Sequence, residues 1–376
     1  MQVRTILSLT GLFALCLSSL TAGCGDDPAP GYQGTTRTYY LAAEESVWDY
    51  APADRNEIKD AAWSEDEEVF VGNDAGHIGR QYMKALFVEY TDATFTTPKP
   101  VAPEWQHKGT LGPILRAVVG DTIEVVFKNN GSLPYSVHPH GVFYSKANEG
   151  AGSNDGTSGG DKEDDAVMPG DTYTYTWGVP ASAGPGPDDG SSVVWLYHSH
   201  VNPIADTNSG LVGAIVVADP LLADADARPI DVDREAVSYF TVYDENSSHF
   251  IEDNMLAYTD LSDVDAALED DDFLESNLMH AINGYVYGNG PMVQAEKGEI
   301  VRWYLLALGT EVDLHTPHWH GNTVIYDGRR TDVVELLPAS MKVVDMEAAN
   351  PGTWLYHCHV NDHIAAGMIT RYQVNP

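Results

Sequence analysis

Ten of the 14 histidines in this chain fall in four short stretches, and the spacing inside each is that of a metal site rather than of scattered core residues. The stretch TWLYHCHVNDHIAAGM, Thr353 to Met368, carries most of the chemistry. Its first half reads as a strand, along which successive side chains point to opposite faces. Cys358 therefore faces one way while His357 and His359 face the other. A thiolate followed by His363 and Met368 supplies three parts of a His2Cys site with a weak axial thioether, the ligand set of blue electron-transfer copper. The stretch HTPHWHG offers His315, His318 and His320, so the missing histidine of that site and two further imidazoles are at hand. A single peptide separates the sulfur from the histidines on the opposite face.

The pattern occurs twice. WLYHSHVN at Trp195 to Asn202 repeats WLYHCHVN at Trp354 to Asn361, and HPHG at His138 to Gly141 repeats HWHG at His318 to Gly321. In the first copy Ser199 replaces the cysteine, Tyr135 stands where His315 would fall, and an ungapped count puts Ile204 in the place of His363. That copy lacks the sulfur site yet keeps both histidine pairs. With His315, Cys358, His363 and Met368 set aside, eight histidines remain: His138, His140, His198, His200, His318, His320, His357 and His359. Eight imidazoles satisfy a three-copper cluster, and since four come from each copy the cluster must lie between a first and a second domain. Electrons passed singly through Cys358 to such a cluster can reduce O2 to water.

With these residues the chain resembles the multicopper oxidases, and its text is closest to ceruloplasmin and its relatives. The likeness runs from YYLAAEESVWDYAP through GRQYMKALFVEYTDATF, EWQHKGTLGPILRAVVGD, HPHGVFYSKANEGA, EDDAVMPG and INGYVYGNGP to the end. It implies an all-β fold, two cupredoxin-like Greek-key β-sandwich domains in tandem, with four coppers per functional unit. Type 1 copper would be held by His315, Cys358, His363 and Met368, and type 2 by His138 and His318. Of the type 3 pair, one metal would take His140, His198 and His359, the other His200, His320 and His357. The family's six-domain ring would be imitated by a homotrimer, each cluster forming between the first domain of one chain and the second of its neighbour, with an intramolecular cluster as the alternative.

The resemblance also implies an electron donor. Glu275 and His280 in FLESNLMHAINGY, with Asp362 beside His363, match residues that bind Fe(II) in the resembling ferroxidases, and Glu311 in LGTEVDLH matches a further glutamate there. Carboxylates suit this task, because hard oxygen ligands favour Fe(III) and make bound Fe(II) a better reductant. Glu149 matches a position near the cluster that could relay protons. Lys146 (through its carbonyl), Asp164 and Asp165 resemble a calcium site of that family, and oxygen ligands on a loop suit calcium. The implied function is oxidation of a one-electron donor, Fe(II) first, coupled to four-electron reduction of O2. Two rivals stand: laccase-like oxidation of phenols or amines, and a copper electron-transfer protein without oxidase turnover, which would not need eight further histidines. Ser199 and Tyr135 exclude the two-domain nitrite reductases, which carry their blue site in the first domain. His77, His107 and His249 receive no role.

The elements that must position these ligands are short strands rich in Val, Tyr and Thr and punctuated by Gly and Pro. DTIEVVFKNN, TYTYTWGVP, SSVVWLYHSH and LVGAIVVADP in the first copy, and EIVRWYLLALG, SMKVVDME and GMITRYQV in the second, argue for β-sandwiches. The first domain is expected over 38–220 and the second over 221–376, with a short helix in the acidic piece from Asp260 to Asn277. Ahead of them, residues 1–23 read as a targeting segment: Arg4 is the positive start, and Ile6 to Leu20 is an apolar run too short to span a membrane comfortably. LTAGC resembles a bacterial lipoprotein signal, with Cys24 as the lipidated first residue. Thr21 stands where such signals usually carry Leu, which leaves ordinary secretory cleavage as the alternative. Either route exports the chain to the periplasm or cell envelope, and residues 24–37 would form a flexible tether. Of three cysteines, Cys16 and Cys24 belong to this leader, so the folded part has one thiol, Cys358, and no intramolecular disulfide. Finally, 56 acidic against 20 basic residues, net −36, argue against a nucleic-acid partner and suit a cationic substrate, or simply solubility in a salty compartment.

Overall fold

The computed structural model describes residues 32–376, so the targeting segment and Cys24 lie outside the described residues. The tether expected to reach residue 37 ends earlier. Asp121 gathers the Tyr32 hydroxyl at 2.5 Å, the Thr35 N–H at 2.8 Å and the Arg37 guanidinium at 2.6 Å, and the first strand begins at Thr36.

Each half of the chain builds two sheets. In the first half one sheet runs β2 (Gln81–Tyr90), β1 (Thr36–Asp49), β4 (Thr122–Asn129), β6 (Thr172–Gly178), and the other β3 (Ile114–Val118), β8 (Val212–Ala218), β7 (Ser192–His198), β5 (His138–Pro139). The second half repeats both orders. One sheet runs β10 (Leu278–Ile282), β9 (Arg234–Asp244), β12 (Ile300–Ala307), β16 (Met341–Glu347), extended by the hairpin β14 (Val324–Tyr326) and β15 (Arg329–Thr331). The other runs β11 (Val293–Glu296), β18 (Ile369–Asn375), β17 (Gly352–Cys358), β13 (Pro317–Trp319). The directions repeat as well: β1 with β4 and β3 with β8 are parallel, as are β9 with β12 and β11 with β18. The sequence repeat is thus a repeat of topology.

Burial explains the two kinds of strand. β4 alternates, with Ile123, Val125, Phe127 and Asn129 buried and their neighbours half-exposed, because its sheet is outermost. β8, VGAIVVA, is buried at every position. Its Ile215 and Val217 face the core of the first sandwich, and its Val212, Ala214 and Val216 face a second core shared with Tyr239, Tyr304 and Leu306 of the other half. β12 does the same from the opposite side, with Trp303 and Leu305 in the core of the second sandwich. The four sheets therefore stack as outer, inner, inner, outer, and the continuous apolar runs mark the two inner sheets.

Helices are short: α1 (Glu65–Val71), α2 (Pro203–Ser209), α3 (Ile251–Tyr258), α4 (Val264–Ala267), α5 (Asp271–Ser276) and α6 (Asn361–Ala365). Between Asp260 and Asn277, where one was expected, there are two. Asp263 caps α4 by accepting the Ala266 N–H, and Asp270 caps α5 by accepting the Asp272 N–H. Among the described residues no helix is long and apolar enough to cross a membrane.

Candidate metal centres

β17 ends at Cys358, and the chain then turns through α6 before β18 brings it back along the same sheet. The Cys358 N–H donates to the Met368 carbonyl at 3.1 Å and the Met368 N–H to the His363 carbonyl at 2.8 Å, which closes the turn under the sulfur. His315 arrives from the loop before β13. Its Nδ1 stands 3.2 Å from His363 Nδ1 and 4.0 Å from Cys358 Sγ, and His363 Nδ1 is 3.6 Å from the sulfur. All three residues are buried, as is Met368. Asp313, which no motif had singled out, orients the group: its Oδ1 accepts the His315 Nε2–H at 3.2 Å, leaving the Nδ1 lone pair aimed at the sulfur. Burial opposes ionisation of Cys358, but its contacts with the His315 and His363 rings and with the N–H groups of Thr316 and Val360 outweigh it and bring the thiol down to about 6. A thiolate and two imidazole lone pairs converging on one buried point fit a soft cation.

On the other face of β17, His357 pairs across the ladder with His318 of β13. The His357 Nδ1–H donates to the Cys358 carbonyl at 2.6 Å, so its Nε2 is a lone pair, 3.0 Å from His320 Nε2 and 3.3 Å from His318 Nδ1. His359 lies 5.2 Å from His318, ring to ring. The first half repeats this on β7 and β5. The His198 Nδ1–H donates to the Ser199 carbonyl at 2.9 Å, and its Nε2 faces His140 Nε2 at 3.2 Å. His138 gives its Nδ1–H to the Glu149 carbonyl at 2.6 Å, and its ring stands 5.2 Å from that of His200. Burial first, then the neighbouring imidazoles, lower His198 to about 3 and His140 to about 4. Neutral rings with lone pairs turned on one another repel unless a cation lies between them, and His318, His320 and His357 bring their ring nitrogens close enough together to hold a metal ion.

Gly141 and Gly321 let both sets form. Their φ angles are +75° and +73°, and a Cβ at either would fall 2.1 Å or 2.3 Å from the ring of Trp195 or Trp354, the tryptophan that opens each repeat.

Two family models, both described as multicopper oxidase, match residues 90–221 and 259–376. The chain belongs to the multicopper oxidases. Hephaestin of Mus musculus is 42% identical over 370 residues, covering 97% of this chain and 31% of the relative. Ferroxidase HEPHL1 of Homo sapiens is 44% identical over 350 residues, covering 92% and 30%. Ceruloplasmin of Homo sapiens is 38% identical over 345 residues, covering 90% and 30%. This chain thus spans less than a third of the length of these relatives. The solved blue copper oxidase from Nitrosomonas europaea, 17% identical, shares the fold with a TM-score of 0.55 over 90% of this chain and 86% of that one. The paired sheets of each half are accordingly cupredoxin-like domains, and copper is the family's cofactor.

Within this multicopper oxidase the first half departs from the second at the sulfur site, and the ungapped count misplaced one position. α2 has seven residues where α6 has five. The Leu211 N–H donates to the Asp206 carbonyl and the Ser199 N–H to the Leu211 carbonyl, each at 3.1 Å, the same ladder that links Cys358, Met368 and His363. Tyr135 pairs with Val167 as His315 pairs with Leu336. The counterparts of the sulfur-site ligands are therefore Tyr135, Ser199, Asp206 and Leu211, and Ile204 is an exposed residue of the lengthened helix.

The remaining expected residues are placed as follows. His280 on β10 is buried with its ring 5.2 Å from that of His363, and burial lowers it to about 4. Glu275 at the end of α5, Asp362 on α6 and Glu311 are exposed, and among the described residues they do not close into a cage with His280. The Glu149 carboxylate is paired with Lys146, while its carbonyl holds His138. Asp164 is buried: Oδ2 accepts the Gly150 N–H at 2.9 Å, and Oδ1 has no partner among the described residues. Asp165 pairs with Lys162 at 3.1 Å. His107, left without a role, accepts the Val237 N–H at Nε2, 3.0 Å away, and so joins the two halves.

Proposed function

We propose that this multicopper oxidase is a ferroxidase, taking electrons one at a time from Fe(II) and delivering them to O2 to give water. The observation that carries the reading is the back-to-back arrangement on β17, where the Cys358 sulfur converges with His315 and His363 on one face and His357 with His318 and His320 on the other. Bound copper would supply one-electron storage at the sulfur and four-electron reduction of O2 at the histidines, type 1 at His315, Cys358, His363 and Met368, types 2 and 3 at the other eight. The chain does the rest. His357 and Cys358 are joined by one peptide and by the His357 Nδ1–H bond to the Cys358 carbonyl, a short covalent and hydrogen-bonded route between the two faces.

Substrate iron would meet Glu275, Asp362 and Glu311 at the surface beside His280, whose buried ring lies against His363. Open carboxylates suit a substrate that must bind as Fe(II) and leave as Fe(III). Glu149, on the loop that orients His138, would supply protons. Replacing Glu275 and Asp362 with Ala should raise the KM for Fe(II) by about tenfold or more while a bulky phenol turns over as before, since loss of even an outer-shell partner typically costs about 10–100-fold in metal affinity. Equal loss on both donors would refute the iron site, and faster O2 uptake with the phenol than with Fe(II) in the unmodified protein would make it a laccase.

A homotrimer is the assembly we propose, and the positions of the histidines support it. Every close histidine pair among the described residues lies within one half of the chain. Exposed apolar residues flank both sets, Phe143, Tyr144 and Val201 beside the first, Leu314 and Val333 beside the second. A head-to-tail interface that closes after three copies would join first set to second set three times. Light scattering on copper-loaded protein tests this, and an active monomer would overturn it. Two smaller assignments complete the reading. Asp164, Asp165 and the Lys146 carbonyl hold calcium, tested by a calcium-dependent rise in melting temperature that Asp164→Ala removes. Cys24 carries a lipid that anchors the exported protein, tested by its release from membranes on Cys24→Ala.

A further inference from the structure

The first half lacks the sulfur-site ligands, with Ser199 and Tyr135 in the places of Cys358 and His315, yet on the cluster reading it must hold His198 and His200 as accurately as the second half holds His357 and His359. We infer that Asp206, anchored by His249, is the positioning residue that does this. Asp206 is fully buried. Its Oδ2 accepts the Ser199 hydroxyl at 2.6 Å, the Asn202 N–H at 3.0 Å and the Val201 N–H at 3.1 Å, and its Oδ1 accepts the His249 Nε2–H at 2.8 Å. Ser199 lies between the two cluster histidines. Its own oxygen accepts the Ser136 N–H at 3.1 Å, and the Ser136 hydroxyl accepts the His200 N–H at 3.0 Å. The backbone on both sides of His200 is therefore pinned, and so is the peptide whose carbonyl receives His198.

In the second half sulfur and imidazoles converge on one point, where copper would be held. In the first, a carboxylate draws a hydroxyl, two amides and an imidazole to the corresponding point, with Asp206 in the place of His363. The anchor comes from the other half of the chain: His249 follows β9, and its own N–H donates to Ser209 Oγ at the end of α2 at 3.1 Å. The first histidine set is thus registered by the domain that carries the sulfur site.

This inference rests on the reading of the eight histidines as a cluster, and the test separates the two. Copper content and the electron paramagnetic resonance of the cluster are measured in the unmodified protein, Asp206→Ala, Asp206→Asn and His249→Gln. The visible absorption of the Cys358 site serves as an internal measure of folding. Amide hydrogen exchange of residues 198–202 is followed in the copper-free proteins. Asp206→Ala should keep the blue absorption, lose cluster copper with an affinity about 10–100-fold weaker, and lose amide protection over 198–202. Asp206→Asn should rescue both, since its Oδ1 can accept the same three donors while its amide donates to a neutral His249. His249→Gln, a partly exposed position, should fall between. Full cluster loading and unchanged protection in Asp206→Ala overturn the inference, as does parallel loss of blue absorption and cluster copper, which marks a general structural role. Copper uptake at the sulfur site alone in the unmodified protein overturns the cluster reading and this one with it.

Discussion

Asp313 shows how a residue can matter more than its neighbours in the sequence suggest. The acids in LGTEVDLH alternate, and the exposed Glu311 was the one singled out. Asp313 is the one the fold buries, where its carboxylate also accepts the Val242 N–H at 2.7 Å and the Thr310 N–H at 2.8 Å. Two backbone donors fix the carboxylate, and the carboxylate fixes the ring of His315. Asp313→Asn should therefore weaken copper at the sulfur site by roughly 10–100-fold, as loss of an outer-shell partner does. Titration of the copper-free protein, followed by the blue absorption, measures this directly, and an unchanged midpoint would show that the histidine needs no such support. Spacing two before a ligand was the only hint in the sequence, and it is shared by many acids in a chain this acidic.

At the level of elements, the two-residue strand β5 and the three-residue β13 carry His138 and His318 and lead directly into His140 and His320. Such short strands cannot place a ring by themselves; each is seated by the turn that follows and the tryptophan beneath it. Gly321→Ala would drive a methyl group into Trp354 from a backbone conformation that only glycine adopts easily. The cost should be about 3 kcal/mol or more from strain and overpacking together. It should appear as a lower denaturant midpoint accompanied by loss of cluster copper, and Gly141→Ala should behave alike. A midpoint within experimental error of the unmodified protein would mean that the ring moves aside at little cost. The glycines were visible as HPHG and HWHG. Their partners, 54 and 33 residues further along, were visible only as a repeat.

Across the whole molecule, the halves are joined by a shared core and by polar links that include the Arg116–Glu235 ion pair at 2.9 Å, the buried pair Lys84 and Glu245, and His107 with the Val237 N–H. His107 makes the junction sensitive to acid. Burial first, with a smaller contribution from nearby Lys108, lowers it to about 4 against an ordinary 6.5. The native state holds it neutral, as an acceptor must be, so the unfolded chain binds the extra proton. Stability is then fully present above pH 6.5 and is lost as pH falls through 4, by up to about 3 kcal/mol. Denaturant unfolding of the copper-free protein at neutral and at acid pH should show this loss, and His107→Gln should flatten it because glutamine accepts the same N–H without titrating. Equal acid sensitivity in both proteins would remove His107 from the account.

The sequence by itself determined the duplication and the β-sandwich class, and it singled out His315, Cys358 and His363, which the structure brings together. Those signals are local: ligands alternate along one strand or follow on one turn, and the second copy confirms the first by repeating its letters. Only the tertiary structure decided that Asp206, not Ile204, stands opposite His363, because a helix two residues longer shifts the count without changing the hydrogen-bond ladder around it. It alone stacked the inner sheets on one another and turned His107 and His249 from unassigned residues into links between halves. Hydrogen bonds between residues far apart in the chain leave no spacing to read, since any of many acids or histidines could make them until packing brings one into place.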